Sequence, residues 1–113
     1  MQTLTQKHCK ACEGDADKLN SAQASQLHRE LNQKWFLDVG QQTIGRNYKF
    51  GDFGAAVRFF NQVAELAEAE GHHPDLNLHN YRYLRITLTT HAVKGLSEND
   101  FILAAKIDAL LAQ

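Results

Sequence analysis

The run Tyr83-Leu84-Arg85-Ile86-Thr87-Leu88-Thr89-Thr90 alternates apolar and polar side chains. Successive side chains of a strand point to opposite faces, so Leu84, Ile86 and Leu88 share one face and Tyr83, Arg85, Thr87 and Thr89 the other. Such a strand needs a cover for its apolar face and a neighbour at its edge. Just upstream, Leu76-Asn77-Leu78-His79 also alternates, and Asn80-Tyr81-Arg82 reads as the connection between the two. Further upstream, Phe53, Ala56, Val57, Phe60, Val63, Ala64 and Ala67 recur at spacings of three and four, the apolar stripe of a long helix. Asp52 is its N-cap and Glu70 its last residue. Gly71 sits where a left-handed residue closes a helix, and Pro74 bars continuation. Downstream, Ser97-Glu98-Asn99-Asp100 has the form of a capping box, and Phe101 to about Leu111 makes a closing helix carrying Ile102, Leu103, Ala105, Ile107 and Leu110.

The N-terminal half supplies the remaining elements. Residues 1–20 are polar, lack periodicity and read as an arm preceding a single domain over residues 21–113. Ser21 caps a helix in which Ala24, Leu27 and Leu31 recur at helical spacing, ending near Asn32. Trp35-Phe36-Leu37-Asp38-Val39 favours a strand, and Gly40-Gln41-Gln42 a turn. Ile44 to Phe50 alternates, with Ile44, Tyr48 and Phe50 on one face, so the two strands form a hairpin. The predicted order is α-β-β-α-β-β-α: an α+β domain with a four-stranded antiparallel sheet and three helices on one face. The open face, bearing Tyr83 and threonines, is a surface for self-association.

With 113 residues the chain holds one ordinary domain, and 43% hydrophobic against 22% charged residues is the mix of a folded protein. Twelve Lys and Arg against thirteen Asp and Glu leave a net charge of −1, so no basic excess exists to neutralise nucleic-acid phosphates. No apolar run reaches the roughly 18 to 20 residues of a membrane span. Met1 to Lys7 lacks the apolar core of a secretory signal, and two cysteines make no disulfide framework, so a reduced, cytoplasmic setting is expected. Gly40, Gly45, Gly51 and Gly54 fit neither phosphate-cradling glycine pattern.

Six histidines are the compositional outlier. His72 and His73 follow the long helix, and His91 ends the best strand. Imidazole, with a pKa of about 6.5, both gives and takes protons near neutral pH. Glu68 lies one turn before His72 and is placed to hold its ring, and Asp100 opens the last helix. Zinc is the rival reading of three histidines. Adjacent residues of extended chain point in opposite directions, however, so His72 and His73 do not readily face one ion. His8-Cys9-x-x-Cys12 lacks a second cysteine pair and reads as an arm of incidental metal affinity, so no metal site is assigned.

Glu68-x-x-x-His72-His73-Pro74-Asp75, then Tyr81, His91, Gly95-Leu96 and Asp100, resembles the signature of the pterin-4a-carbinolamine dehydratases. Arg46 to Phe50 with the following helix resembles the middle of that family, and Gly95 to Ala105 its C-terminal helix. The Cys-x-x-Cys arm and the Trp35 strand resemble bacterial-type members. The resemblance implies a homodimer or homotetramer that dehydrates 4a-hydroxytetrahydrobiopterin to quinonoid dihydrobiopterin. That reaction recycles the pterin of aromatic amino acid hydroxylases, including phenylalanine hydroxylation, and uses no metal or organic cofactor. It further implies that His72 and His91 are the acid–base pair and that His73, with Pro74, binds and orients the pterin. Thr90, Ala92 and Val93 would line the pocket, and Glu68 and Asp100 would support the histidines. Leu76 stands where some members carry an aromatic, and Val93 replaces a polar or sulfur-bearing residue of some animal members. The alternative implied by the same resemblance is a protein-binding dimerisation or assembly factor on this scaffold.

Overall fold

Ile44, Leu84, Ile86 and Leu88 have no exposed surface, and their shared side of the strands is the side the helices cover. The computed structural model describes residues 2–11 and 17–111. Its strands β1 (Phe36–Asp38), β2 (Thr43–Lys49), β3 (Asp75–His79) and β4 (Tyr83–Leu88) form one antiparallel sheet in the order β1-β2-β4-β3. The register sets Leu84 opposite Tyr48 and Leu78, and Ile86 opposite Arg46 and Leu76. Helices α1 (Ser21–His28), α2 (Phe53–Glu70) and α3 (Glu98–Leu111) complete the predicted α+β order. Among the described residues no helix is long and apolar enough to cross a membrane.

Local differences from the sequence reading have local causes. The cap of α1 is Asn20, one residue earlier than expected. Its side chain accepts from the Gln23 N–H at 2.8 Å while the Gln23 side chain accepts from the Asn20 N–H at 2.9 Å. That reciprocal pair satisfies two donors at once, which Ser21 cannot do from inside the helix. The helix stops at His28 rather than near Asn32, where the His28 ring bonds the Trp35 carbonyl at 2.6 Å. In α2 the buried stripe is Ala56, Phe59, Val63 and Ala67. It is rotated from the expected one: Phe60 is half-buried and Phe53 is 55% exposed. Phe59 instead packs against Tyr48 and Phe50, with ring centroids 5.1 and 5.3 Å away.

A polar cluster closes the far end of the sheet. Asp108 of α3 accepts from Trp35 Nε1 (2.8 Å), Arg46 (2.8 Å) and the Tyr48 hydroxyl (2.5 Å). Burial, and then the bond to Asp108, pushes the Tyr48 hydroxyl above its ordinary range. Hydrogen bonds to a charged group contribute about 1.5–3 kcal/mol each, so Asp108 ties α3 to β2 and to the start of β1.

Residues 2–11 lie along α3. Leu4, in a 3₁₀ turn over Leu4–Gln6, is buried in the main core. Cys12 falls outside the described residues, so the Cys-x-x-Cys reading is met here by Cys9 alone.

Candidate active site

The end of α2 places the first histidine. Gly71 takes φ 67°, and its N–H donates to the Glu68 carbonyl at 3.3 Å while the His72 N–H donates to Ala67 at 3.2 Å. This paired closure suits a residue without a Cβ and turns the chain sharply at His72. His91 is placed by a different device. After β4, Thr90 and Gly95 exchange backbone hydrogen bonds at 2.8 and 3.3 Å, pinching off a loop. Within it His91–Val93 forms a 3₁₀ turn that ends on Lys94 at φ 54°.

Asp100 joins these two pieces of chain. It has no exposed surface. Its Oδ1 lies 2.6 Å from Nε2 of His72, whose side chain is only 11% exposed. Its Oδ2 accepts from the Thr90 hydroxyl at 2.8 Å and from the Ser97 N–H at 3.0 Å. The Ser97 hydroxyl pairs with that of Thr90 at 2.8 Å. The capping-box acid is thus also the histidine's partner, and a buried carboxylate has its lone pairs used by donors, as burial requires.

His72, His73 and His91 line one cleft of about 260 Å³ together with Gly71, Thr90 and Ala92. Thr89, Lys10, Ala11 and Asn99 form the rest of its lining. Pro74 and Val93 are not among the lining residues; Val93 is 2% exposed and lies beneath the loop. Glu68 does not hold His72 as its spacing predicted. Because the chain turns at Gly71, it is His73 whose Nε2 sits 2.6 Å from Glu68 Oε1, an exposed pair at the rim. Among the described residues the His91 ring makes no hydrogen bond, and the residue is exposed at the cleft. Sequence reasoning missed Lys10, Ala11 and Asn99. The arm carried no periodic signal, and Asn99 stood inside a motif already read as a cap.

A ring nitrogen whose partner is fixed has a fixed tautomer. With Asp100 accepting the Nε2 proton, Nδ1 of His72 is the nitrogen left to take one up. The cleft therefore offers two imidazoles held by carboxylates, those of His72 and His73, and a third, that of His91, with no hydrogen bond among the described residues.

Comparison with known proteins gives a consistent picture. Residues 17–110 match the family model described as Pterin 4 alpha carbinolamine dehydratase. A protein of Legionella pneumophila (strain Corby) named "Putative pterin-4-alpha-carbinolamine dehydratase" is 45% identical over 108 residues, covering 96% of this chain and 95% of its own. A protein of the same name from Halorhodospira halophila is also 45% identical over 108 residues, with 96% and 97% covered. Among solved structures, a transcriptional coactivator/pterin dehydratase from Brucella melitensis superposes with a TM-score of 0.76 at 33% identity, over 82% of this chain and 97% of that one. A pterin dehydratase-like protein identified as a RuBisCO assembly factor in the alpha-carboxysome superposes with a TM-score of 0.59 at 28% identity, over 68% and 88%.

Proposed function

The chain belongs to the pterin 4 alpha carbinolamine dehydratase family, and from that premise we propose that it dehydrates 4a-hydroxytetrahydrobiopterin to quinonoid dihydrobiopterin with His72 and His91 as the acid–base pair. The observation that carries this reading is the convergence of His72, His73 and His91 on one cleft, with Asp100 buried behind His72.

The chemistry is an elimination. A pterin ring nitrogen loses its proton, its electron pair becomes the new carbon–nitrogen double bond, and the carbon–oxygen bond at the carbinol carbon breaks. The departing hydroxyl takes up a proton and leaves as water. One proton is removed and one delivered, the carbon–oxygen pair leaves with the water, and there is no net oxidation or reduction. Two imidazoles near neutral pH serve both transfers, each contributing about 10²–10⁴-fold. His73, tethered by Glu68 at the rim, orients the pterin, with the half-buried Pro74 setting the direction of the chain after it. Thr90 and Ala92 supply the wall, and Val93 supports the loop from below. The product is the pterin that an aromatic amino acid hydroxylase system reduces for reuse.

The test is a dehydration assay on the purified chain and on His72→Ala and His91→Ala. Each variant should lose about 10² in kcat. Equal activity in all three proteins, or an inactive wild type, would reject the reading.

A second reading rests on α2. Besides its buried stripe, the helix carries Phe53, Val57, Phe60 and Ala64 at helical spacing, with Phe53 exposed and the other three half-buried. Such a stripe suits association, here a homodimer or homotetramer, and two structural relatives are titled as a coactivator and an assembly factor. Sedimentation of wild type and Phe60→Glu checks it: the variant should run as a smaller species. A wild-type monomer at micromolar concentration would remove this reading.

A further inference from the structure

We propose that Lys10 and Ala11 form a working wall of the cleft and that Asn99 is the positioning residue that holds this wall, so that Asn99 sets affinity for the pterin. The inference rests on the dehydratase reading and adds to it a determinant outside the histidine signature.

The wall is attached by buried polar groups. Asn99 is 4% exposed. Its Oδ1 accepts from the Lys10 N–H at 3.1 Å and its Nδ2 donates to the Lys10 carbonyl at 2.6 Å. One amide side chain thus reads both backbone groups of Lys10, as a neighbouring strand would. One residue earlier, the Cys9 N–H donates to Glu70 Oε1 at 2.8 Å. Glu70, whose side chain is 8% exposed, is itself gripped by Lys106 at 2.8 Å and the His8 ring at 3.0 Å. Fixing an irregular segment costs backbone entropy at every residue, and these bonds offset that cost at Cys9 and Lys10.

Placement gives the arrangement its function. Lys10 and Ala11 line the same cleft as the three histidines. Asn99 directly precedes Asp100, so the first turn of α3 holds His72 by one side chain and the wall by the next. Loosening the wall therefore changes the space offered to substrate and leaves the Asp100–His72 bond intact. An interaction of that kind acts on ground state and transition state alike and is read in KM.

The experiment is steady-state kinetics on the full chain with 4a-hydroxytetrahydrobiopterin, comparing wild type, Asn99→Ala, Glu70→Ala and Glu70→Gln. With both bonds lost the wall is in place for about a tenth of the time, and the apparent affinity falls by that fraction, about tenfold. Asn99→Ala should raise KM by about that factor while kcat falls less than about threefold. Its kcat–pH profile should be that of wild type. Glu70→Gln keeps an oxygen for the Cys9 N–H, so its KM should stay nearer to wild type than that of Glu70→Ala; this pair carries the test if Asn99→Ala fails to fold. An unchanged KM in Asn99→Ala, a shifted pH profile, or equal KM values for the two Glu70 variants overturns the wall. Wild type inactive on the pterin overturns the dehydratase reading itself, a result distinct from an active wild type whose KM Asn99→Ala leaves unmoved.

Discussion

Nε2 of His72 lies 2.6 Å from Oδ1 of Asp100, and Oδ2 of the same carboxylate takes the Thr90 hydroxyl and the Ser97 N–H. The residue that fixes an imidazole is therefore also the residue that starts α3. Asp100→Asn keeps one oxygen for the Thr90 hydroxyl and the Ser97 N–H and turns its NH₂ to His72, whose Nε2 must then accept, the opposite tautomer. The variant should lose about 1–3 kcal/mol of stability in urea titrations and at least about tenfold in kcat. Wild-type activity in the variant would mean that the carboxylate does not set the tautomer of His72.

His91 should separate catalysis from folding. It is exposed, and among the described residues its ring has no hydrogen bond. His91→Ala should cost about 10² in kcat with stability within about 0.5 kcal/mol of wild type. His72→Ala should lose both, because it strands Asp100. Chelators should leave the activity of wild type unchanged; strong inhibition by a chelator would revive the zinc reading.

Glu70 makes part of the stability pH-dependent. Burial pushes its carboxyl up, but the bonds from Lys106, the Cys9 N–H and the His8 ring outweigh that and hold it at about 2, below the ordinary 4.5. A depressed carboxyl stabilises the fold fully above its unfolded value and loses that contribution as pH falls through the folded one. Glu70→Gln should therefore be less stable than wild type at pH 7, and the gap should narrow as pH falls from 4.5 towards 2. A gap that widens on acidification would contradict the pairing.

Cys9 should be a sluggish thiol. Burial first, and then the nearby Glu70 carboxylate, push it from 9.0 up to about 12. The thiolate is the reactive form, so in a Cys12→Ser background at pH 8 alkylation of Cys9 should run about 10³-fold slower than that of free cysteine. Labelling at the rate of a free thiol would show that the segment beside the cleft is not held as described.

The alternating strand at Tyr83–Leu88, the Asp52 cap and the Gly71 stop were readable because each depends on neighbours within a few residues. The rotated stripe of α2 was not. Phe59 and Phe60 are equally apolar, and only the aromatic cluster with Tyr48 and Phe50 decides which one faces inward. The same division runs through the site. Glu68 and His72 at a spacing of four are partners on a continuous helix, yet the left-handed turn at Gly71 passes Glu68 to His73. Asp100 receives His72 from 28 residues away.

By itself, then, the order of residues determined the elements, the Asp52 cap and Gly71 stop of α2, the side of the sheet that is covered and the three histidines as candidates. Periodicity and turn chemistry are short-range, and the chain writes them locally. Which carboxylate holds which imidazole, and that Lys10, Ala11 and Asn99 belong to the cleft, was decided only by tertiary structure. Those pairings join segments up to 89 residues apart, and a hydrogen bond depends on distance and direction in space rather than on separation along the chain.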